Sequence, residues 1–259
     1  MNPPPDVTGR DVLLVDFSYK SPVLLAMAKA ARSMLVIDHH KTAAEDLAGF
    51  PPPISLRWED HLAEAGGAVN DGTDPDLPRV LFDMNRSGAG MACDYFFPGE
   101  PRPRLIDHIE DRDLWRFRLD GTREIQAAVF SYPYDFEVWD RLMLCNLDTL
   151  RSDGAAIERK HFKDIDELLK VCTRRMVLGG IEVPVANLPY TLTSDAGHRL
   201  AEGNPFGACY WDTPEGRVFS LRSTDAGQDV SAIAKLYGGG GHRNASGFRM
   251  PIGWEGDKS

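Results

Sequence analysis

The chain has 259 residues, 42% of them hydrophobic, and a formal charge of −10 at neutral pH. That length accommodates one large core or two modest ones, and two are expected. The acidic balance excludes an extended basic surface for long duplex nucleic acid, so a phosphate-bearing partner has to be met by local donors or bound cations.

In chain order, Asp11-Val12-Leu13-Leu14-Val15-Asp16 is a short apolar run closed by an acid. Met34-Leu35-Val36-Ile37-Asp38-His39-His40 repeats the pattern and adds two imidazoles. Between them Ser21-Pro22 starts a helix, with Val23, Met27, Ala30 and Ala31 at helical spacing. The result is a strand-helix-strand unit with buried parallel strands. Ligands of open α/β sheets bind beyond the carboxyl ends of the strands, which places Asp16 and Asp38 to His40 together. Acids and imidazoles at such a tip suit a divalent metal, although Asp16 alone reads equally well as the cap of a turn.

From Glu59 to Asp76 there are six acids and no Lys or Arg, which predicts a solvated connection with His61 in water. Arg79 to Phe82 is a further short strand, and Ser87-Gly88-Ala89-Gly90 opens a helix whose small residues permit close approach to the sheet. Leu105 to Trp115 is dense in potential ligands, a look that a charged surface helix shares. A helix over Asp135 to Leu147 turns Phe136, Trp139 and Met143 toward the core. A charged helical stretch bridges 151–178, with His161 at its surface.

The remainder predicts a small α+β module over 179–259, opening at Gly179-Gly180. Strands run over Ile181 to Leu188, Gly207 to Asp212 and Arg217 to Ser223, and Ser194 caps a helix that carries His198 through to Ala201. Asp229 caps a last helix, which gives way to Gly238-Gly239-Gly240-Gly241-His242-Arg243-Asn244-Ala245-Ser246-Gly247-Phe248. Successive glycines can turn backbone N–H groups toward an anion, with His242, Arg243 and Arg222 adding side-chain donors. The same glycines also read as a hinge.

Asp16 and Asp38-His39-His40 early in the chain, with GGGGHRNASGF at its far end, together resemble the DHH phosphoesterase superfamily with a C-terminal DHHA1 domain. The resemblance covers nearly the whole chain. It implies an α/β fold: a parallel-sheet DHH domain over 1–150, a linker helix over 151–178 and a smaller α+β substrate-binding domain over 179–259. It also implies a hydrolase that uses manganese, or magnesium in its place, to cleave phosphoester or phosphoanhydride bonds. Its substrate would be a short single-stranded oligonucleotide, a nucleoside bisphosphate, a dinucleotide or polyphosphate.

Carried onto these residues, Asp16, His39 and Asp111 resemble metal ligands, with Asp113 as the runner-up for the last place. Asp38 orients the imidazoles and His40 touches phosphate, both in catalytic roles. Arg222, Gly239, Gly240, Gly241, His242 and Arg243 resemble the substrate grip. A separate grip domain across a hinge would let closure expel water. A homodimer is left open, and no base-reading signature is legible.

The family's first motif, a histidine with one or two aspartates, belongs upstream of Asp16, where this chain has only Asp6 and Asp11. Three readings follow: a phosphoesterase sequence that starts downstream of its true beginning, a catalytically impaired phosphate-binding or regulatory module, and a one-metal enzyme or one completed by another chain. Cys93, Cys145, Cys172 and Cys209 form no CxxC pair, which fits a reducing cytoplasm. No run of about 18 apolar residues occurs, so no membrane contact is expected.

Overall fold

The computed structural model describes residues 3–65, 74 and 77–258. The chain divides into two compact units, Met1–Ala155 and Ala156–Ser259. Among the described residues no helix is long and apolar enough to cross a membrane.

The first unit contains β1 (Asp11–Val15), α1 (Ser21–Ala28), β2 (Ser33–Asp38), α2 (Lys41–Asp46), α3 (Trp58–Ala65), β3 (Arg79–Phe82), α4 (Gly88–Phe96), α5 (Arg104–Asp113), α6 (Thr122–Val129) and α7 (Phe136–Met143). Its sheet is parallel, in the order β1-β2-β3. Asp11 faces Ser33 and Val15 faces Ile37 on one side, and Asp38 faces Phe82 on the other.

The central strand is buried on both faces, as its unbroken apolar run requires. Met34 and Val36 pack with Leu24, Met27 and Val80, whereas Leu35 and Ile37 pack with Met91 and Tyr95. This two-residue alternation sets α1 on one face and α4 on the other. A third cluster joins Leu105, Ile125, Val129, Leu142 and Leu150, binding α5, α6 and α7 to the first turn of α8 (Leu147–Cys172).

The second unit continues with β4 (Thr173–Leu178), β5 (Ile181–Asn187), α9 (Thr193–Ala201), β6 (Gly207–Thr213), β7 (Gly216–Arg222), α10 (Val230–Leu236), β8 (Gly240–Gly241) and β9 (Ala245–Met250). Its sheet order is β4-β5-β6-β7-β9-β8, antiparallel except for the β5–β6 pair. Residues of α10 pack with Val185, Phe206, Phe219 and Phe248 in one cluster. Residues of α8 and α9 pack with Ala186 and Cys209 in the other.

Four expectations change. The solvated connection is partly helical, because Trp58 and His61 stack three residues apart at 5.2 Å and His61 is only 4% exposed. Residues 66–73, 75 and 76 of that connection lie outside the described residues. Phe136 is 92% exposed, so the apolar stripe of α7 excludes its first residue. The bridge over 151–178 is a helix only to Cys172; Thr173–Leu178 is a strand. Gly179-Gly180, with φ of +61° and +75°, is the two-residue hairpin turn that pairs this strand with β5.

Gly154 gives a direct test of this packing. Helix propensity alone favours alanine there by about 1 kcal/mol. A Cβ at Gly154, however, would stand 1.7 Å from the carbonyl oxygen of Glu124 in α6, and relieving that overlap costs about 1–3 kcal/mol. Gly154→Ala is therefore expected to destabilise the chain in urea titrations, and a stabilised variant would refute this account of the α6–α8 contact.

Candidate functional site

The site of the first unit is built at the carboxyl edge of its sheet. Asp16 directly follows β1 and takes a φ of +58°, a left-handed conformation uncommon for a residue with a side chain. Its N–H donates to the Ile37 carbonyl at 2.9 Å, so the sheet ladder fixes the turn. Gly88, the first residue of α4, lies against the Asp16 side chain; a Cβ on it would stand 2.5 Å from Asp16 Cβ. Glycine at 88 is what lets the helix and the acid occupy adjacent space.

Asp38 ends β2 and is buried. Its Oδ1 accepts from the N–H of His39 at 2.7 Å and lies 2.7 Å from His40 Nδ1. Its Oδ2 is buried without a hydrogen-bond partner among the described residues. Burial pushes the Asp38 carboxyl up, but the hydrogen bond and charge of His40 and the two backbone N–H groups outweigh it, and the net shift is downward.

His39 is also buried. Its Nε2 lies 3.0 Å from Asp16 Oδ1 and 3.4 Å from Asp113 Oδ2. Burial favours the neutral ring, yet the Asp16 hydrogen bond and the charges of Asp113, Asp16 and Asp38 raise its pKa above the ordinary value. Asp113 shifts upward too, first through burial and then through the neighbouring Asp16 charge.

Of the two α5 acids it is Asp113, the runner-up, that stands beside His39, and the structure does not bring Asp111 to the ring. Asp111 turns inward, where Oδ1 accepts from the Arg118 N–H at 2.8 Å and Oδ2 from the Leu119 N–H at 3.0 Å and from Thr122 Oγ1 at 2.7 Å. His108 Nδ1 lies 2.8 Å from the same hydroxyl. The cause is helical geometry: residues two apart on α5 cannot share a face. Asp111 holds the α5–α6 loop, while Asp113 at the end of the helix reaches the site.

One ligand atom each from Asp16, Asp38 and His40 lies within 4.8 Å of the others. That spread fits donors around a single divalent ion, whose opposite ligands stand about 4 Å apart. The donor chemistry fits as well. Three carboxylates crowd two imidazoles here, and one Asp38 oxygen meets no donor among the described residues. Carboxylate and imidazole donors together suit Mn²⁺ or Mg²⁺.

Sequence reasoning passed over the ion network that seats α4. Glu110 Oε2 accepts from the Ser87 N–H at 2.9 Å, and Arg102 donates to Glu110 at 3.3 Å and to Asp94 at 2.6 Å. Arg86 also pairs with Asp94 and donates to the Gly90 carbonyl at 3.1 Å. No local motif announces the side-chain pairs among these contacts, since Arg86 and Asp94, Asp94 and Arg102, and Arg102 and Glu110 each stand eight residues apart.

In the second unit Arg222 is held firmly. It donates to Ser220 Oγ at 2.9 Å, to the Leu221 carbonyl at 2.9 Å and to Ser194 Oγ at 2.8 Å, with Gly197 leaving room for its stem. The glycine run differs from expectation. Gly240 and Gly241 form the edge strand β8 against Gly247 and Ser246, and a Cβ at Gly239 would stand 2.1 Å from the Gly247 carbonyl oxygen. His242 occupies the turn into β9, its N–H donating to the Ala245 carbonyl at 2.8 Å. Arg243 donates to the carbonyls of Asp225 at 3.3 Å and Gly227 at 3.2 Å, which makes it a staple of the 224–227 loop.

The two acids of α5 should separate cleanly by mutation. Asp111→Ala is expected to cost about 1–3 kcal/mol in denaturant titrations, because buried donors lose their acceptor. Asp113→Ala should leave the metal-free stability equal or higher, since it relieves repulsion with Asp16, and should weaken Mn²⁺ binding measured by calorimetry. The reverse pattern would restore Asp111 as the ligand.

No family model matches the chain. It is 30% identical over 252 residues to the uncharacterized protein R106 of Acanthamoeba polyphaga mimivirus, an alignment that takes in 93% of this chain and 53% of that one. The chain thus spans about half the length of the curated relative it matches. Among solved structures, it is similar to the DHH domain of a member of the s1p family of ribosomal proteins, with 14% identity, TM-score 0.48, and coverage of 93% of this chain and 65% of that one. A pGpG-specific phosphodiesterase from Vibrio cholerae aligns with 14% identity and TM-score 0.41 over 64% of this chain and 68% of its own. An exopolyphosphatase-related protein from Bacteroides fragilis aligns with 12% identity and TM-score 0.38 over 94% and 67%.

Proposed function

We propose that this chain is a metal-dependent phosphoesterase, hydrolysing a phosphoester or phosphoanhydride bond in a small phosphorylated substrate. The observation that carries the reading is the convergence of Asp16, Asp38, His39, His40 and Asp113 at one edge of a parallel sheet. The DHH-type arrangement of the sequence motifs supports it.

In this reading Asp16, His39 and Asp113 hold Mn²⁺ or Mg²⁺, with Asp38 and His40 close enough to share the load. Such an ion supplies a water of lowered pKa and neutralises charge on a phosphoryl group. The chain's own part is orientation. Asp38 takes the His40 ring through Nδ1 and so sets the direction of that imidazole. His39 is gripped between two acids, so its ring cannot rotate away. Burial of Asp38 and His39 keeps water from competing for their polar atoms. Within the second unit, Arg222 and His242 are the side chains assigned to an anionic group, Arg222 with its fork already fixed by Ser194 and Ser220.

Calorimetric titration with Mn²⁺ tests the assignment. His39→Ala is expected to lose at least about tenfold in affinity and to abolish Mn²⁺-stimulated hydrolysis across a panel of short RNA, a nucleoside bisphosphate, a cyclic dinucleotide and polyphosphate. Unchanged metal uptake by His39→Ala would remove the ligand assignment. Metal uptake without hydrolysis of any substrate in the panel would leave a phosphate-binding module instead.

A further inference from the structure

The loop that follows Asp113 contains a feature that metal binding does not use. Trp115 and Phe117 both take left-handed backbone conformations, with φ of +55° and +48°. Bulky side chains rarely adopt that region, and such strain persists only where surrounding contacts over-determine it. Those contacts are present. The Trp115 N–H donates to the Arg112 carbonyl at 2.8 Å, and the N–H groups of Arg116 and Phe117 both donate to the Asp111 carbonyl, at 2.8 and 3.3 Å. Arg116 Nη2 then donates to the Asn85 carbonyl at 2.6 Å, tying the loop to the segment that leaves β3.

The strained loop presents an alternation of rings and guanidinium planes. Trp115 and Phe117 meet edge to face at 5.0 Å. Arg123 lies 3.6 Å from the Phe117 ring centre and 5.9 Å from that of Trp115. Arg112 lies 6.0 Å from Trp115 and 4.6 Å from Phe130, which is 45% exposed. Trp115 and Phe117 are half-buried, and among the described residues none of these three rings belongs to an apolar cluster of the first unit. Trp115 stands two residues beyond Asp113, within about 8 Å of it along the chain.

We infer that this loop is a nucleobase-stacking platform, and that the substrate taken at the adjoining acid–imidazole cluster is a nucleotide or short single strand rather than polyphosphate. The inference rests on the phosphoesterase reading for the fate of the phosphate, but not for the binding of the base. Aromatic faces and arginine planes are the surfaces on which unpaired bases stack, and they do so with little regard to sequence. Two guanidinium groups beside the rings also complement the phosphates of such a ligand within a chain of acidic net charge. Bare polyphosphate has no flat apolar group to place against Trp115 and Phe117.

The test is equilibrium binding by the full chain, in Mn²⁺, of two probes: a 5′-phosphorylated di-adenylate with a phosphorothioate linkage, and inorganic tripolyphosphate. The parent should prefer the dinucleotide. Trp115→Leu, which keeps an apolar side chain and loses the aromatic face, should cut that preference by about 5- to 150-fold. Trp115→Phe should retain most of it. A parent that favours tripolyphosphate, or a Trp115→Leu variant that folds and keeps the full preference, overturns the platform. Hydrolysis is scored separately. Trp115-dependent dinucleotide binding without turnover sustains the platform and removes the phosphoesterase reading, whereas turnover with no Trp115 dependence of the preference does the opposite.

Discussion

The contact between Asp16 and His39 is the constraint on which the first unit's site depends. Asp16 can face the His39 ring only because it leaves β1 in a left-handed turn, a conformation that costs a residue with a side chain about 1–3 kcal/mol. The ladder hydrogen bond to Ile37 and the close seat of Gly88 enforce that turn. Gly88 is in turn placed by the Ser87 cap, whose oxygen accepts from the Gly90 N–H at 3.0 Å and whose own N–H is held by Glu110. The Asp94, Arg86 and Arg102 network therefore serves the site from a distance: it seats the helix whose first residue shapes the acid.

The electrostatics of the site point the same way. Desolvation, with the neighbouring Asp16 charge added, raises the Asp113 pKa, while the surrounding acids raise that of His39 in spite of its burial. Protons are thus drawn into the cluster when nothing else balances the carboxylates. A divalent cation offsets the same crowding with two charges at one point, and it requires the ring nitrogens to release their protons. Titratable groups whose pKa values are shifted by a specific charged neighbour cluster at functional sites, and Asp16, His39 and Asp113 form such a group.

Legibility in the sequence followed the range of the interactions. The apolar runs of β1 and β2, the helix between them and the acids at their tips were readable as continuous local patterns, although only β2 is buried on both faces; β1, expected to be buried as well, is the half-buried edge of the sheet. The Ser87-Gly88 helix start and the Asp229 cap were readable for similar local reasons, and Asp229 caps as expected; Ser194, expected to cap α9, instead lies inside that helix and accepts from Arg222. Asp113 was not separable from Asp111, because the direction of each depends on Thr122 and on His39, far along the chain. The stacking of His61 on Trp58 was hidden by the acids around it. Strand β4 was hidden by its continuity with the charged helix, since only its pairing with β5 marks where the helix stops.

The glycine run of the second unit shows why residue type alone leaves function open. Glycine can stand for mobility, for an anion held by bare N–H groups, or for two backbones that must pass close together. Gly239, Gly240 and Gly241 here belong to the third class: the Gly239 position abuts the Gly247 carbonyl, and the next two residues pair in the sheet. The Gly239 N–H donates to the Ala234 carbonyl of α10 at 2.9 Å, so the run is tied to the helix before it as well as to β9. Arg243 is committed to the carbonyls of the 224–227 loop. Arg222 differs in its partners: its fork donates to two serine hydroxyls, Ser220 on its own strand and Ser194 on α9, so the same contact that orients the guanidinium also joins that helix to the sheet.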